Sequence, residues 1–134
     1  MQNPVIIQFD EDDSYFMVVE MICFNLGLEV GPKAQSIDET RKIIRDIEDK
    51  KLIPNIAIVA NYLGYDFSDG EKLAVKLKEI APEIKIIAYS TDKETIWGDY
   101  LAVKSGLDQS KSLVQILCEL TGKEFKTSNI KETD

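Results

Sequence analysis

The sequence predicts a single α/β domain, a doubly wound parallel sheet of five strands with helices on both faces. Short apolar runs of strand length alternate with segments in which apolar residues recur every three or four positions. The chain has 134 residues, of which 44% are hydrophobic, so it can bury one core without disulfides. Because right-handed crossovers place helices on both sides of a parallel sheet, three layers follow.

The first half of the chain contains two predicted strand–helix units. Residues 5–9 form an apolar run that ends in four acidic residues, 10–13, as a buried strand does at a sheet edge. Residues 14–26 have helical spacing and are followed by Gly27, a typical helix stop. A second strand is predicted to begin at residues 28–30, and Ser36 to Glu39 is a capping box that opens the second helix.

The second half contains three further strands. Residues 56–60 are apolar throughout, as expected of a central strand, and a turn-rich segment leads to a third helix that ends before Pro82. Residues 84–90 and 101–104 are the predicted fourth and fifth strands, and Asp108 is the predicted cap of the last helix. We predict one domain over residues 1–122 and a polar tail or linker start over residues 123–134.

Composition excludes several classes of function. The net charge is −8 and the basic residues are interspersed with acids, which argues against direct nucleic-acid binding. Histidine is absent, so Ser-His and Cys-His nucleophiles and the usual zinc ligand are absent too. Cys23 and Cys118 lie in helix-like runs and are typical of buried thiols in a reducing cytosol. No signal peptide or membrane span is indicated, and we expect a cytoplasmic protein.

The candidate functional residues follow the predicted strands. In doubly wound sheets the functional crevice lies at the carboxyl ends of the strands, which here carry Asp10 to Asp13, residues 60–63, Ser90 with Thr91, and Lys104. Acids after the first strand, a hydroxyl after the fourth and a lysine after the fifth resemble the receiver domain of bacterial response regulators. The resemblance covers about residues 4–121 and implies a flavodoxin-like (CheY-like) fold.

The resemblance assigns roles to these residues. It implies that Asp10 and Glu11, with Asp12 as an alternate ligand, hold a magnesium ion, because hard cations prefer oxygen ligands. It also implies that Ser90 and Lys104 bind phosphoryl oxygens. Read without the resemblance, the acids are equally a solvated loop at a helix N-terminus. We expect no required cofactor, although the acidic pocket leaves room for weak magnesium binding.

The phosphate-accepting aspartate of receivers has no counterpart here. Counting along the third strand places the acceptor position at Ala60 or at Asn61, and neither residue can carry a phosphoryl group. Asp66 is the nearest carboxylate, four or more residues beyond the predicted strand. The sequence is therefore interpreted as a degenerate receiver, or pseudo-receiver.

A second departure lies between the fourth and fifth strands. Only 13 residues separate Ser90 from Lys104, where receivers insert a complete helix, so we predict a shortened fourth helix of roughly one or two turns within residues 91–99. Leu101 occupies the position of the aromatic switch rotor. Trp97 and Tyr100 are predicted either to pack on the core or to anchor an interface.

These observations predict a signalling module that is not an enzyme and acts by protein–protein interaction. The expected partner is a signalling protein or kinase, or a second copy in a homodimer, with no nucleic acid or membrane involved. One alternative is a phosphorylatable receiver that uses Asp66 or has an altered acceptor at 61. The other is a magnesium-dependent phosphatase resembling haloacid dehalogenases, with Asp10 as nucleophile and Asp12 as general acid.

Overall fold

The structure, a computed structural model, describes residues 3–64, 70–92, 95, 97–104 and 108–124, with the backbone alone for 108–112. Strands and helices alternate along most of the chain. Their order is β1 (Ile6–Phe9), α1 (Ser14–Asn25), β2 (Val30–Ala34), α2 (Ile37–Glu48), β3 (Ile56–Ala60), α3 (Gly70–Ile80), β4 (Lys85–Ser90), β5 (Tyr100–Val103) and α4 (Asp108–Thr121).

The five strands form one parallel sheet in the order β2-β1-β3-β4-β5. This order confirms the predicted doubly wound fold, in which the strand order reverses between β1 and β3. All five residues of β3 are buried, as predicted for the central strand. Among the described helices, none is long and apolar enough to cross a membrane.

Side chains alternate between two core layers. Ile7, Phe9 and Val59 pack in the layer that holds α2 and α3, whereas Ile6 and Ile58 pack in the layer of α1 and α4. Consecutive strand residues point to opposite faces, so a strand buried on both faces must be apolar at every position. This requirement explains the continuous apolar runs of β1 and β3.

The predicted helix signals are confirmed at several termini. The Ser36 hydroxyl accepts a hydrogen bond from the Glu39 backbone N–H at 3.2 Å, which caps α2. Gly27 and Gly122 follow α1 and α4 with φ of 73° and 74°, the left-handed conformation that a glycine adopts without steric cost. Cys23 and Cys118 are both free thiols; Cys23 is fully buried as predicted, whereas Cys118 is only half-buried.

Several strand boundaries differ from the prediction by one or two residues, and the starts of β2 and β5 have a visible physical cause. β2 begins at Val30, because the Leu28 N–H still donates to Cys23 O at 2.7 Å and residue 28 is part of the turn that follows α1. β5 begins at Tyr100, one residue earlier than predicted. The Asp99 N–H already donates to Ile86 O at 2.8 Å, so the chain is aligned along β4 before Leu101.

The link between β4 and β5 comprises nine residues, 91–99, and contains no helix among the residues described there. Within its described part, the Thr95 N–H donates to Asp92 O at 3.3 Å. Residues 93, 94 and 96 lie outside the described part. The predicted one or two helical turns are therefore not found in the described part of this link, and the next helix is α4, after β5.

Asp99 ties this link to its neighbours. One carboxylate oxygen, Oδ2, accepts from the Lys78 ammonium at 2.9 Å and from the Ile86 N–H at 2.8 Å. Partial burial by itself raises the pKa of Asp99, but the hydrogen bonds from Lys78 and Ile86 outweigh it and lower the pKa. Asp99 therefore joins α3 and β4 to the start of β5 through its charged form.

We predict that Asp99→Asn lowers the free energy of unfolding at pH 7 by about 0.2–1 kcal/mol, because the pair is partly exposed. A lowered folded-state pKa stabilises the fold above the unfolded pKa, and this contribution disappears as pH falls through the folded value. The difference should vanish near pH 2, below the ordinary aspartate pKa of about 3.9. Urea unfolding at both pH values measures it, and a difference that persists at the lower pH contradicts the charge-based explanation.

Candidate functional site

The carboxyl ends of β1, β3, β4 and β5 surround a crevice of about 280 Å³. The structure brings together the site residues predicted from the strand ends, whereas Trp97, Tyr100 and Leu101 lie outside the crevice wall. The residues that line the crevice are Asp10, Glu11, Asp12, Tyr15, Ala60, Asn61, Tyr62, Tyr89, Ser90, Thr91 and Lys104.

A buried ion pair crosses the crevice. The Lys104 ammonium donates to Asp10 Oδ2 at 2.5 Å, and the two side chains are only 7% and 3% exposed. Burial raises the pKa of Asp10, and the hydrogen bond and charge of Lys104 offset part of that rise. The cation that neutralises Asp10 in this arrangement is therefore supplied by the protein itself.

Two aromatic rings complete the surroundings of the Lys104 ammonium. Its nitrogen lies 3.8 Å from the ring centroid of Tyr15 and 5.1 Å from that of Tyr89, distances at which a cation is attracted to a ring face. The rings themselves meet edge to face, with centroids 5.6 Å apart. Burial raises the pKa of Tyr89, whose hydroxyl has no hydrogen-bond partner among the described residues. Sequence reasoning missed both tyrosines.

The three predicted magnesium ligands, Asp10, Glu11 and Asp12, point to different partners. Asp10 Oδ1 accepts from the Asp12 N–H at 3.0 Å, and Asp12 Oδ1 accepts from the Ser14 N–H and hydroxyl at 3.0 and 2.7 Å. The bonds from Ser14 lower the pKa of Asp12 and close a turn that leads into α1. The Glu11 carboxylate lies in the space that a Cβ on Gly64 would need.

These directions bear on magnesium binding. No group of three or more acid or thiol side chains among the described residues is placed to hold one metal ion. In the conformation described, Asp10 bonds to Lys104 and Asp12 bonds to Ser14, so both carboxylates are engaged within the fold. The predicted acids thus reach the crevice without converging on a common point.

The side-chain amide of Asn61 lies directly after the end of β3, in the wall of the crevice. Ala60 is the last strand residue, pairs with Tyr89 and is 3% exposed. Asn61 follows Ala60 directly, and Ser90 follows Tyr89, the partner of Ala60, so both residues border the crevice. Asn61 Oδ1 accepts a hydrogen bond from the Trp97 indole N–H at 3.0 Å, and Asn61 O accepts from the Gly70 N–H at 2.8 Å.

The position of the Trp97 ring requires a glycine, Gly70, at the start of α3. A Cβ added to Gly70 would overlap the Ala60 carbonyl oxygen and approach the Trp97 ring within 2.8 Å. Only glycine lets the indole lie this close to the end of β3. The half-buried Trp97 also packs against the core layer of α2 and α3. Packing, one of the two roles predicted for Trp97, is thus confirmed.

The remaining predicted residues take supporting positions. The Ser90 hydroxyl is 2% exposed and accepts hydrogen bonds from the Asp92 N–H at 3.0 Å and the Thr95 hydroxyl at 3.2 Å. Thr91 is exposed at the rim. Leu101 pairs with Ala88 in the ladder between β4 and β5 and is half-buried. Tyr100 packs against the layer of α1 and α4. The alternative acceptor Asp66 lies outside the described residues.

Comparison with solved structures identifies the fold as that of response regulator receiver domains. A response regulator from Thermotoga maritima has a TM-score of 0.69 at 18% identity, over 90% of this chain and 98% of its own. A CheY-like receiver domain protein from Methanospirillum hungatei JF-1 has a TM-score of 0.68 at 17% identity, over 88% and 93%.

A third similar structure is the Thermotoga maritima response regulator TrrA in complex with Mg²⁺-BeF, with a TM-score of 0.66 at 15% identity over 87% of this chain and 98% of its own. No protein-family model matches the sequence, and comparison with curated proteins found no match. The structural likeness therefore establishes the fold, while the role of the crevice has to be argued from its own residues.

We predict that Asp10→Asn lowers the free energy of unfolding at pH 7 by about 3–5 kcal/mol, since it leaves the Lys104 charge buried without its partner. The double variant Asp10→Asn/Lys104→Met should recover much of that loss, because it removes both charges. Urea unfolding of the two single variants and the double variant measures the coupling.

The exposed pair of Lys42 and Asp46, 2.9 Å apart on α2, provides the matched control. Asp46→Asn should cost less than about 1 kcal/mol, as exposed pairs do. Additive effects of the Asp10 and Lys104 substitutions would show that the two charges do not stabilise each other.

Proposed function

We propose that this chain is a receiver-like signalling module that acts by protein–protein interaction and is not switched by phosphorylation of an aspartate. The observation that carries the proposal is the Asn61 side chain, which directly follows β3, borders the crevice together with Ser90 and is hydrogen-bonded to Trp97. A carboxylate at this point would be a nucleophile for a phosphoryl group, whereas an amide is not. Asn61 is thus the position from which the acceptor has been lost.

The ion pair supports the same proposal. In receivers, as the resemblance implies, acids after the first strand hold a magnesium ion that offsets the charge of the arriving phosphoryl group. Here Lys104 neutralises Asp10 directly, and the pair is nearly sealed from solvent. The crevice needs no metal to balance this carboxylate, so we propose a module with no required cofactor and at most weak magnesium affinity.

The phosphatase alternative requires an accessible nucleophile. Asp10 is 2% exposed and both its oxygens accept hydrogen bonds, from Lys104 and from the Asp12 N–H. Asp12, the general acid of that alternative, is bonded to Ser14 and has a lowered pKa, which favours the charged form and opposes proton donation. Both observations favour the binding module over the enzyme.

The first test is phosphorylation. The protein is incubated with magnesium and acetyl phosphate and analysed by intact mass, and we expect no gain of one phosphoryl group. Asn61→Asp and Ala60→Asp are the matched variants, and a gain in the former alone would place the lost acceptor at 61.

A phosphoryl group on an aspartate of the unaltered chain would overturn the proposal. Loss of that group in Asp66→Ala would then identify the acceptor of the first alternative. Hydrolysis of p-nitrophenyl phosphate that disappears in Asp10→Asn would instead establish the phosphatase.

The second test is magnesium binding, read from the fluorescence of Trp97, the only tryptophan in the chain. Trp97 reports on the crevice through its hydrogen bond to Asn61. We expect no saturable change up to high millimolar magnesium. Lys104→Met releases Asp10 from its pair, so this variant should gain a response to the metal. A saturable response of the unaltered chain that Lys104→Met does not strengthen would contradict the role given to Lys104.

A further inference from the structure

The outer face of α1 carries exposed apolar side chains. Of the large apolar side chains that are exposed in the described part of the chain, three lie on this helix: Met17 and Met21, each 65% exposed, and Phe24, 83% exposed. Their spacing of four and three residues places them one above the other on one face of the helix. The opposite face, with Val19 and Cys23, is buried, so these three side chains point to solvent. We call them the α1 stripe.

The α1 stripe offers an apolar surface without an unpaired charge. The stripe lines a depression of about 430 Å³ together with Glu20 and Asn25. The Glu20 carboxylate pairs with the Lys33 ammonium of β2, and Asn25 is uncharged. An uncharged apolar segment fits such a surface better than a charged one, because a charge brought there would lose water without gaining a partner.

The chain beyond α4 starts at the end of the domain where the stripe also ends. α1 leads from the carboxyl end of β1 back to the start of β2, and α4 follows the carboxyl end of β5 and packs against that strand. Because the strands are parallel, both helices end at the edge where the strands begin. The two helices are in contact within one core layer. Glu124, the last described residue, therefore lies at the edge at which the stripe ends with Phe24.

Residues 125–134 lie outside the described part of the chain, and their sequence suits the stripe. Ten residues span up to about 33 Å when extended, whereas the seven helical residues from Met17 to Phe24 rise by only about 10 Å. Phe125 and Ile130 are large and apolar, and residues 127–130 carry no charge. The segment thus has both the reach and the apolar side chains to cover the α1 stripe.

Charge favours this segment over a second copy of the chain as the cover of the stripe. The whole chain has a net charge of −8, so two copies repel each other. Residues 123–134 contain three lysines and three acids and are neutral overall, so they approach the domain without this repulsion. A tethered segment also has an effective concentration on the order of millimolar, which a free partner does not have.

We propose that residues 125–134 fold back over the α1 stripe and cover it with two apolar side chains. Phe125, close to the end of α4, contacts Phe24 in this arrangement, and Ile130 contacts the end of the stripe at Met17. The domain thereby covers one of its own apolar surfaces and keeps it from other proteins. This inference goes beyond the proposed function and does not depend on it, because no residue of the stripe lines the crevice.

The test measures how fast hydrogen peroxide oxidises Met17 and Met21 to their sulfoxides in the full chain. Peptide mass mapping gives the rate at each residue, and N-acetylmethionine in the same solution is the unprotected reference. We expect Phe125→Ser/Ile130→Ser to raise both rates by about threefold or more, as for a tethered segment that covers the stripe about two thirds of the time.

Matched substitutions separate the contact from other effects. Lys126→Ser/Lys131→Ser alters the same segment but keeps its apolar residues, so it should leave both rates unchanged. Phe24→Ser, at an exposed position, should raise the rates, and adding the two apolar segment substitutions should raise them little further, because both changes remove one interaction. Val75→Ser on α3, where Val75 is 55% exposed, should have no effect.

Three results would overturn the inference. The first is equal oxidation of Met17 and Met21 in the unaltered chain and in Phe125→Ser/Ile130→Ser. The second is that the effects of Phe24→Ser and of the segment substitutions simply add. The third is protection that rises with protein concentration, which would place a second copy on the stripe. The phosphorylation and magnesium tests do not involve these residues, so failure of the proposed function and failure of this inference are distinguishable.

Discussion

The crevice depends on the buried pair of Lys104 and Asp10, which joins the ends of β5 and β1 across 94 positions of sequence. A single charge at either position would be costly, so each side chain is tolerable because the other is present. The rings of Tyr15 and Tyr89 surround the ammonium and exclude water from it. The acids at this crevice are of a kind suited to binding a cation, and the Lys104 ammonium already supplies one.

A second contact, between Trp97 and Asn61, positions a side chain that lines the crevice. The bond between Trp97 and Asn61 fixes the amide at the end of β3, and Gly70 leaves the room that the indole needs. An amide suits this place because its oxygen accepts a hydrogen bond from the indole N–H without carrying a charge that burial would penalise. The same tryptophan packs against the core layer of α2 and α3. Trp97 therefore links the polar crevice to the apolar core.

Much of this arrangement is readable from the sequence. Apolar runs locate β1, β3 and β4. Because the functional crevice of a doubly wound sheet lies at the carboxyl ends of its strands, the residues that follow these strands predict that Asp10, Ser90 and Lys104 lie together. The direction of each side chain is not readable, because it depends on partners distant in sequence. Nothing in the pattern indicates that Lys104 bonds to Asp10, or that the indole of Trp97 reaches Asn61, since that contact is set by the path of the link after β4.

The shortness of that link has a consequence for how the edge of the sheet is held. The entropy lost on closing a loop grows with its length, by roughly 0.6 kcal/mol for each doubling. Nine residues between β4 and β5 bring the edge strand to its neighbour with little chain disorder to overcome, and Asp99 fixes the strand before its first pairing residue. An edge strand joined at so small an entropic cost can leave part of one face lightly packed and still remain in register.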